Sequence, residues 1–406
     1  MNFSQLFQGL GSLFEIEPGI ATGRIVLIIL GVVLVWLGFK RTLEPLIMVP
    51  MGFGMCAINA GMLVRDFQEI IGLSNIMIHP LAATEELMDV MQIDFLQPIY
   101  TLTFSNGLIA CLVFMGIGVI SDVSPVLKYP FTSMLIAMFA ELGTILTFPI
   151  AIAMGFDPGG AASAAIIGTA DGPMVLFTSL ILDKSLFVPI TIVAYLYLSI
   201  CYGFYPLLVK ALVPKELRAK AVELRKIDSG VISPKAKIIF DIIACTVLCL
   251  LFPVAAPLFL SFFLGNAIKE VAIPKYAELL ENVFLYASTF FLGLLLGILC
   301  DAQTLLGDPQ VLKLLILGFI ALGLAAVGGI IGGYIVYGIN RKNFNPAIGV
   351  AGVSCIPSTA KIAQHAVHEA NKRVIILQYA MGASVCGVIT SAILTGLYVT
   401  IILPYV

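Results

Sequence analysis

One carboxylate in this chain stands where a charge is hard to keep. Asp171 lies within the run Ile166-Ile167-Gly168-Thr169-Ala170-Asp171-Gly172-Pro173-Met174-Val175-Leu176-Phe177, which is apolar on both sides. A charged side chain at the centre of a membrane helix costs about 2.5 to 3.5 kcal/mol on insertion scales, so it calls for a compensating partner. A cation supplies one. Proline lacks an N–H and clashes with the preceding turn, so Gly172-Pro173 is expected to break the helix just after the carboxylate and free backbone carbonyls beside it. Carboxylate, carbonyls and the Thr169 hydroxyl together make a hard oxygen site for an alkali cation or a proton. Asp-Gly-Pro also caps helices at loops, and that reading stands beside the ion site.

The second half offers polar groups without a carboxylate: Asn345, Ser354, Ser358, Thr359, Lys361 and Gln364. Serine and threonine in such a run also bond back to their own helix. Lys361 differs, because it follows Pro357 by one turn-like step and can bring a cation to face the carboxylate or an anionic substrate. Tyr195 and Tyr197 can place a hydroxyl in the core or anchor an interface. Glu141 is either an ion or proton ligand or half of a pair with a neighbouring helix. His365 and His368, at i and i+3, read as a solvated face. A nucleophile elbow, a phosphate-binding glycine loop and an HExxH motif are all absent from the sequence.

These residues need elements to position them, and composition says what kind. Hydrophobic residues make up 60% of the chain and charged ones 11%, with mean hydropathy +1.06, too few charges to clothe a soluble domain. Formal net charge is −2 without a long basic run, which argues against nucleic acid as a partner. Apolar segments fall at 25–39, 46–64, 99–121, 127–155, 159–182, 187–210, 238–264, 282–300, 310–339, 344–367 and 374–402. Each is near the roughly 20 residues that a helix needs to cross the hydrocarbon. Phe3, Leu6, Phe7, Leu10 and Phe14 suggest a short interfacial helix, followed by a retained span rather than a signal peptide. The eight cysteines lie in or beside apolar runs without metal-site spacing and read as small hydrophobes.

Two stretches of the chain resemble each other. Phe156-Asp157-Pro158 matches Phe344-Asn345-Pro346, and Val126-Leu127-Lys128 matches Val311-Leu312-Lys313. Positions 118–122 and 297–301 share G-x-x-x-D, and 54–59 resembles 265–270 in the same order. The shared order points to duplication. The expected architecture is an all-α polytopic membrane protein of two inverted repeats, whose broken or re-entrant helices meet near the midplane. Its parts are an interfacial segment 1–23, a first transmembrane helix 24–43, a first repeat 44–210 with an acidic insert 65–98, a basic cytoplasmic linker 211–237, and a second repeat 238–406. The positive-inside rule places the linker and the pairs Arg341/Lys342 and Lys372/Arg373 in the cytoplasm, and the insert outside. Lys40 and Arg41 then fall on the outer side, against that rule.

The motifs resemble those of a known family. Gly168-Thr169-Ala170-Asp171-Gly172-Pro173 is similar to a G-x-A-D-G-P signature, and Asn345-Pro346-Ala347-Ile348-Gly349-Val350-Ala351-Gly352-Val353-Ser354-Cys355-Ile356-Pro357 is similar to N-P-L-I-G-x-A-G-V-S-x-x-P. Both belong to the β subunit of the biotin-dependent, sodium-translocating decarboxylases acting on oxaloacetate, methylmalonyl-CoA, glutaconyl-CoA or malonate. The similarity runs from residue 44 to the C-terminus. It implies a subunit of the cytoplasmic (inner) membrane that decarboxylates carboxybiotin, consumes a proton and exports Na⁺. Asp171 is then the Na⁺ and proton-coupling carboxylate, with Thr169 beside it and Asn345, Gly349 and Ser354 lining the ion path. One or both of Tyr195 and Tyr197 match the family's core tyrosine, and Lys361 stands where arginine is usual, keeping the charge but losing the bidentate fork. Biotin is implied on a partner carrier, alongside a carboxyltransferase subunit, a small membrane subunit and an oligomeric assembly. The rival class is a Na⁺-coupled symporter or Na⁺/H⁺ antiporter without covalent chemistry.

Overall fold

The computed structural model describes residues 8–61, 76–80, 90–91, 94–222, 231–307 and 309–406. Phe3, Leu6 and Phe7, most of the acidic insert, and the linker charges Glu223, Arg225, Lys226 and Asp228 lie outside the described residues. The rest is helical, without a strand among the described residues. Fourteen helices carry the argument: α1 (Gln8–Glu15), α2 (Pro18–Phe39), α3 (Pro45–Gly61), α4 (Leu108–Ile120), α5 (Pro130–Ala153), α6 (Pro158–Ala165), α7 (Gly172–Leu182), α8 (Phe187–Leu212), α9 (Pro234–Leu251), α10 (Ala256–Glu270), α11 (Leu285–Leu299), α12 (Gln310–Ile339), α13 (Ser358–Ala370) and α14 (Leu377–Ile402). Among the described residues six spans are long and apolar enough to cross a membrane: α2, α5, α8, α12, Pro274–Leu299 and Leu377–Tyr405.

Prolines start many of these helices, at a position where the missing N–H costs nothing. Pro18, Pro130, Pro158 and Pro234 all stand in a first turn, and Ser233 caps α9 by accepting from the Ala236 N–H. The segment 238–264, expected as one span, is instead two helices. Phe252 and Pro253 turn the chain, and α10 folds back along α9 so that Phe240 meets Phe263 edge-on and Lys237 reaches Glu270 at 2.9 Å. Hydropathy is blind to this turn, because the corner residues are as apolar as the helices they separate.

The chain forms two compact units, and neither coincides with a sequence half. One comprises Met1–Ile109 and Ala287–Lys313, the other Ala110–Tyr286 and Leu314–Val406. In the first unit α2 and α3 form an antiparallel hairpin, with Gly31 against Gly52 and Gly38 against Met48. Gly54 of α3 then packs on the backbone of α11 at Leu294 and Gly297. The Asn59 amide donates to the Cys300 carbonyl at 2.8 Å and accepts from the Ala302 N–H at 3.0 Å.

The second unit repeats this pattern with other residues. Gly265 of α10 packs on Met115 and Gly118 of α4, and the Asn266 amide donates to the carbonyls of Gly118 (3.3 Å) and Ser121 (3.1 Å). Sequence matching set Asn59 against Glu270. By hydrogen bonding its counterpart is Asn266, four residues earlier, since Ser121 and Cys300 each lie three residues beyond the glycine of the G-x-x-x-D pattern. The other register also shifts: Val126–Lys128 falls in a short separate helix, Ser124–Lys128, whereas Val311–Lys313 lies in the first turn of α12.

Around the centre of this unit α5 and α12 cross antiparallel. Gly143 meets Leu324 and Ala325, Gly328 meets Phe139, and Gly332 meets Phe139 and Ile136. Two parallel pairs flank the crossing. α5 runs with α14, from Ser133 beside Gly382 to Phe148 stacked on Tyr398. α8 runs with α12, where Tyr197 donates to the Leu315 carbonyl and Tyr205 to that of Leu322. Removing a buried side-chain amide that bonds two carbonyls costs about 0.5–1.5 kcal/mol for each hydrogen bond lost. Asn266→Ala is therefore expected to lower the thermal unfolding midpoint measurably in detergent, as is Asn59→Ala. An unchanged midpoint in both would mean that these contacts do not hold the helices together.

Candidate functional site

Both broken elements lie in the second unit, and each is built by its local sequence. In the first, Asp157 caps α6 by accepting from the N–H groups of Gly159 (3.0 Å) and Gly160 (3.3 Å). After two turns of small residues α6 tightens into a 3₁₀ turn, Ile166–Thr169, and Ala170 takes the left-handed conformation (φ 51°, ψ 34°). A non-glycine residue there carries a cost of about 1–2 kcal/mol. Asp171 is extended, and Gly172-Pro173 opens α7. The break thus falls at Ala170 and Asp171 themselves, with Gly172-Pro173 opening the next helix, and not just after the carboxylate as expected, because a helix accepts proline readily in its first turn.

The second element starts at Asn345, whose Oδ1 accepts from the Ala347 N–H at 3.1 Å. A 3₁₀ segment, Pro346–Gly352, runs into extended Val353, and α13 begins at Ser358. The Thr359 hydroxyl donates back to the Val353 carbonyl at 2.9 Å and fixes the turn. Gly349 lies against the Gly329 carbonyl of α12, with no room for a Cβ.

The two breaks touch through Ser354. Its N–H donates to the Thr169 carbonyl at 3.2 Å, and its hydroxyl faces both that carbonyl (3.0 Å) and Asp171 Oδ2 (3.2 Å). One hydroxyl proton serves only one of these acceptors at a time. Asp171 is 5% exposed and sits at the N-cap position of α7, facing the Met174 N–H without a capping hydrogen bond of ordinary geometry. The positive end of α7 favours its negative charge. Tyr195 of α8 lies over Gly172, its buried hydroxyl without a hydrogen-bond partner, within electrostatic range of Asp171. A side chain larger than hydrogen at position 172 would collide with that ring.

The structure therefore brings Asp171, Thr169, Ser354 and Tyr195 together, whereas Asn345, Tyr197, Lys361 and His365 turn elsewhere. Thr169 turns its hydroxyl inward to the Ile166 carbonyl (2.8 Å) and the Asp171 N–H (3.2 Å), so its carbonyl is the atom that meets Ser354. Asn345 commits its amide to the linker carbonyls of Arg218 (2.9 Å) and Lys220 (2.8 Å). Tyr197 points to α12, away from Tyr195. Lys361 is exposed on the first turn of α13. His365 pairs at 3.6 Å with Glu369, which Lys210 also holds at 2.7 Å. That charge-assisted hydrogen bond from Lys210 keeps the Glu369 carboxyl below its ordinary value. Sequence reasoning missed Tyr202, whose hydroxyl bonds Ser358 at 2.7 Å and ties α8 to the start of α13. A tyrosine among aliphatic residues carries no local signal for such a contact.

Comparison with known proteins gives this geometry a family. Over 396 residues, 97% of each chain, the sequence is 54% identical to a carboxybiotin decarboxylase of Malonomonas rubra. It is 30% identical to the methylmalonyl-CoA decarboxylase subunit beta of Propionigenium modestum, covering 94% of this chain and 96% of the relative. It is 29% identical to an oxaloacetate decarboxylase beta chain of Haemophilus ducreyi, covering 97% of each. The model of the Na⁺-transporting oxaloacetate decarboxylase beta subunit matches residues 23–402. With its apolar helices and two broken elements joined at Asp171, the chain is a multi-pass membrane protein that belongs to the family of Na⁺-transporting decarboxylase beta subunits.

Proposed function

We infer that this chain decarboxylates carboxybiotin and exports Na⁺ with the free energy released, and that Asp171 is where the two processes meet. The observation that carries this reading is the Ser354 bridge, which sets a carboxylate, a main-chain carbonyl and a hydroxyl from two broken elements around one buried point. Na⁺ fits such an all-oxygen set. Asp171 supplies the charge, the Thr169 carbonyl and Ser354 hydroxyl supply neutral oxygens, and Asn345 and Gly349 hold the second element in place. Decarboxylation breaks the N–C bond of carboxybiotin, releases CO₂ and consumes one proton at the biotin nitrogen. The Tyr195 hydroxyl and Asp171 relay that proton as Na⁺ departs. Loss of Na⁺ frees Asp171 to accept the Ser354 proton that otherwise goes to Thr169.

Biotin arrives on a partner carrier at the cytoplasmic face, alongside a carboxyltransferase subunit and a small membrane subunit, in an oligomeric complex of the inner membrane. Lys361, exposed one turn into α13, meets the incoming carboxylate as a cation without the bidentate fork of arginine. Coupling requires that two conformations differ in Na⁺ affinity, since a ligand shifts an equilibrium only by that difference.

Inverted repeats underlie this arrangement. The antiparallel crossing of α5 and α12 supports it, because Phe139 meets Gly328 at nearly equivalent positions of the Asp157 and Asn345 registers, and Gly143 meets Leu324 about equally far to either side of that point. The hairpin α2–α3 corresponds to α9–α10, which extends the first repeat back to Pro18. Cysteine labelling is expected to find positions 185 and 342 on opposite sides of the membrane, and the same side would refute the inversion.

The purified complex tests the chemistry. Asp171→Asn is expected to abolish both Na⁺-dependent carboxybiotin decarboxylation and Na⁺ transport, and Ser354→Ala to raise the half-saturating Na⁺ concentration about tenfold. Retained Na⁺-dependent decarboxylation in the Asn variant would remove Asp171 from the mechanism. Lys361→Ala is expected to raise the KM for carboxybiotin about two- to fivefold while leaving the Na⁺ requirement unchanged. A shift in Na⁺ affinity instead would move Lys361 into the ion path.

A further inference from the structure

A second carboxylate, Glu141 on α5, is as buried as Asp171 and has no part in the mechanism above. It is 6% exposed, and only one of its oxygens has a partner: Oε1 shares the single proton of the Ser391 hydroxyl with the Gly387 carbonyl, each at 2.7 Å, while Oε2 is buried without a hydrogen-bond partner. Hydroxyls gather beside it. Thr144, one turn further along α5, borders the carboxyl, and its buried oxygen is without a hydrogen bond of ordinary geometry. On α14, Ser391, Thr395 and Tyr398 recur at spacings of four and three, on one helical face. Thr395 and Tyr398 also have buried oxygens without a partner, and Tyr398 is within electrostatic range of Glu141. Because α5 and α14 run parallel, with Phe148 stacked on Tyr398 at 5.6 Å, these oxygens line one seam.

Leaving several buried oxygens unsatisfied in one place is costly unless something absent from a bare chain satisfies them. A proton on Glu141 would serve one oxygen and leave the hydroxyl lone pairs as they are. A cation serves several at once. The oxygens are hard and a single carboxylate balances a single charge, which selects a small monovalent ion. The seam also adjoins the first site. The Thr144 hydroxyl lies 3.0 Å from where a Cβ on Gly168 would stand, three residues before Asp171, and the two carboxylates are within electrostatic range.

We propose that Glu141, with the hydroxyls of Thr144, Ser391 and Tyr398, forms a second Na⁺ site beside that of Asp171. The role assigned to it rests on the Na⁺-translocating reading above, whereas its geometry does not. Equilibrium binding of radioactive Na⁺ to the intact purified complex, in a choline background, tests it. Glu141→Gln, which keeps the shape and the acceptor for Ser391, is expected to bind one Na⁺ fewer per chain than the wild type. Ser391→Ala is expected to keep the number of ions and bind one of them about tenfold more weakly. Wild-type number and affinity in both variants would overturn the proposal. If Glu141→Gln does not assemble, Ser391→Ala decides alone, and unchanged affinity there overturns it. Asp171→Asn separates the two readings: full binding in that variant together with a lost ion in Glu141→Gln would sink the role of Asp171 and leave the second site standing.

Discussion

A carboxylate buried in an apolar interior has to be neutralised, and the arrangement around Asp171 follows from that need. Interrupting the helix supplies carbonyl oxygens that an intact helix would keep for itself. The interruption in turn exposes main chain that must be packed closely, which is why glycines crowd here. Gly168 lies between Thr144 and the Ala321 carbonyl, Gly172 lies under Tyr195, and Gly349 presses on Gly329. A methyl group at these places would push apart the elements that bring Ser354 to Asp171. The strained Ala170, whose N–H donates to the Ile167 carbonyl at 3.0 Å, belongs to the same compromise.

The pairing of helices explains why neither sequence half folds as its own unit. Beside the hairpins within each half, helices from one half also pack on helices from the other: α3 on α11, α10 on α4, α5 on α14 and α8 on α12. In each case small residues or a side-chain amide set the closeness. The two breaks accordingly face each other from different halves of the sequence. Their meeting leaves Ser354 with two acceptors and one hydroxyl proton at the junction.

Much of this was legible in the residues. Asp171 is conspicuous because a charge in an apolar run is rare, and Ser354 because it stands in a long signature. What was illegible depends on contacts between distant segments. The turn at Phe252-Pro253 is hidden by its own hydrophobicity, so two helices read as one span. Asn345 looked like an ion ligand, but its amide is bound to the linker carbonyls more than a hundred positions away in sequence. Tyr195 and Tyr197 were indistinguishable as neighbours in sequence. Two residues apart on a helix they point in different directions, one over Gly172 and the other to α12. Glu141 showed only as a charge in a span, because its hydroxyl neighbours come from α14, 250 residues on for Ser391.

The central claim is that Na⁺ binds where the two breaks meet. Structure determination of the complex in saturating Na⁺, set against the same complex in choline, tests this most directly. Na⁺-dependent density is expected in contact with the Asp171 carboxylate, the Thr169 carbonyl and the Ser354 hydroxyl. Na⁺-dependent density found only elsewhere, with Asp171 still bonded to Ser354 and no ion beside it, would contradict the account.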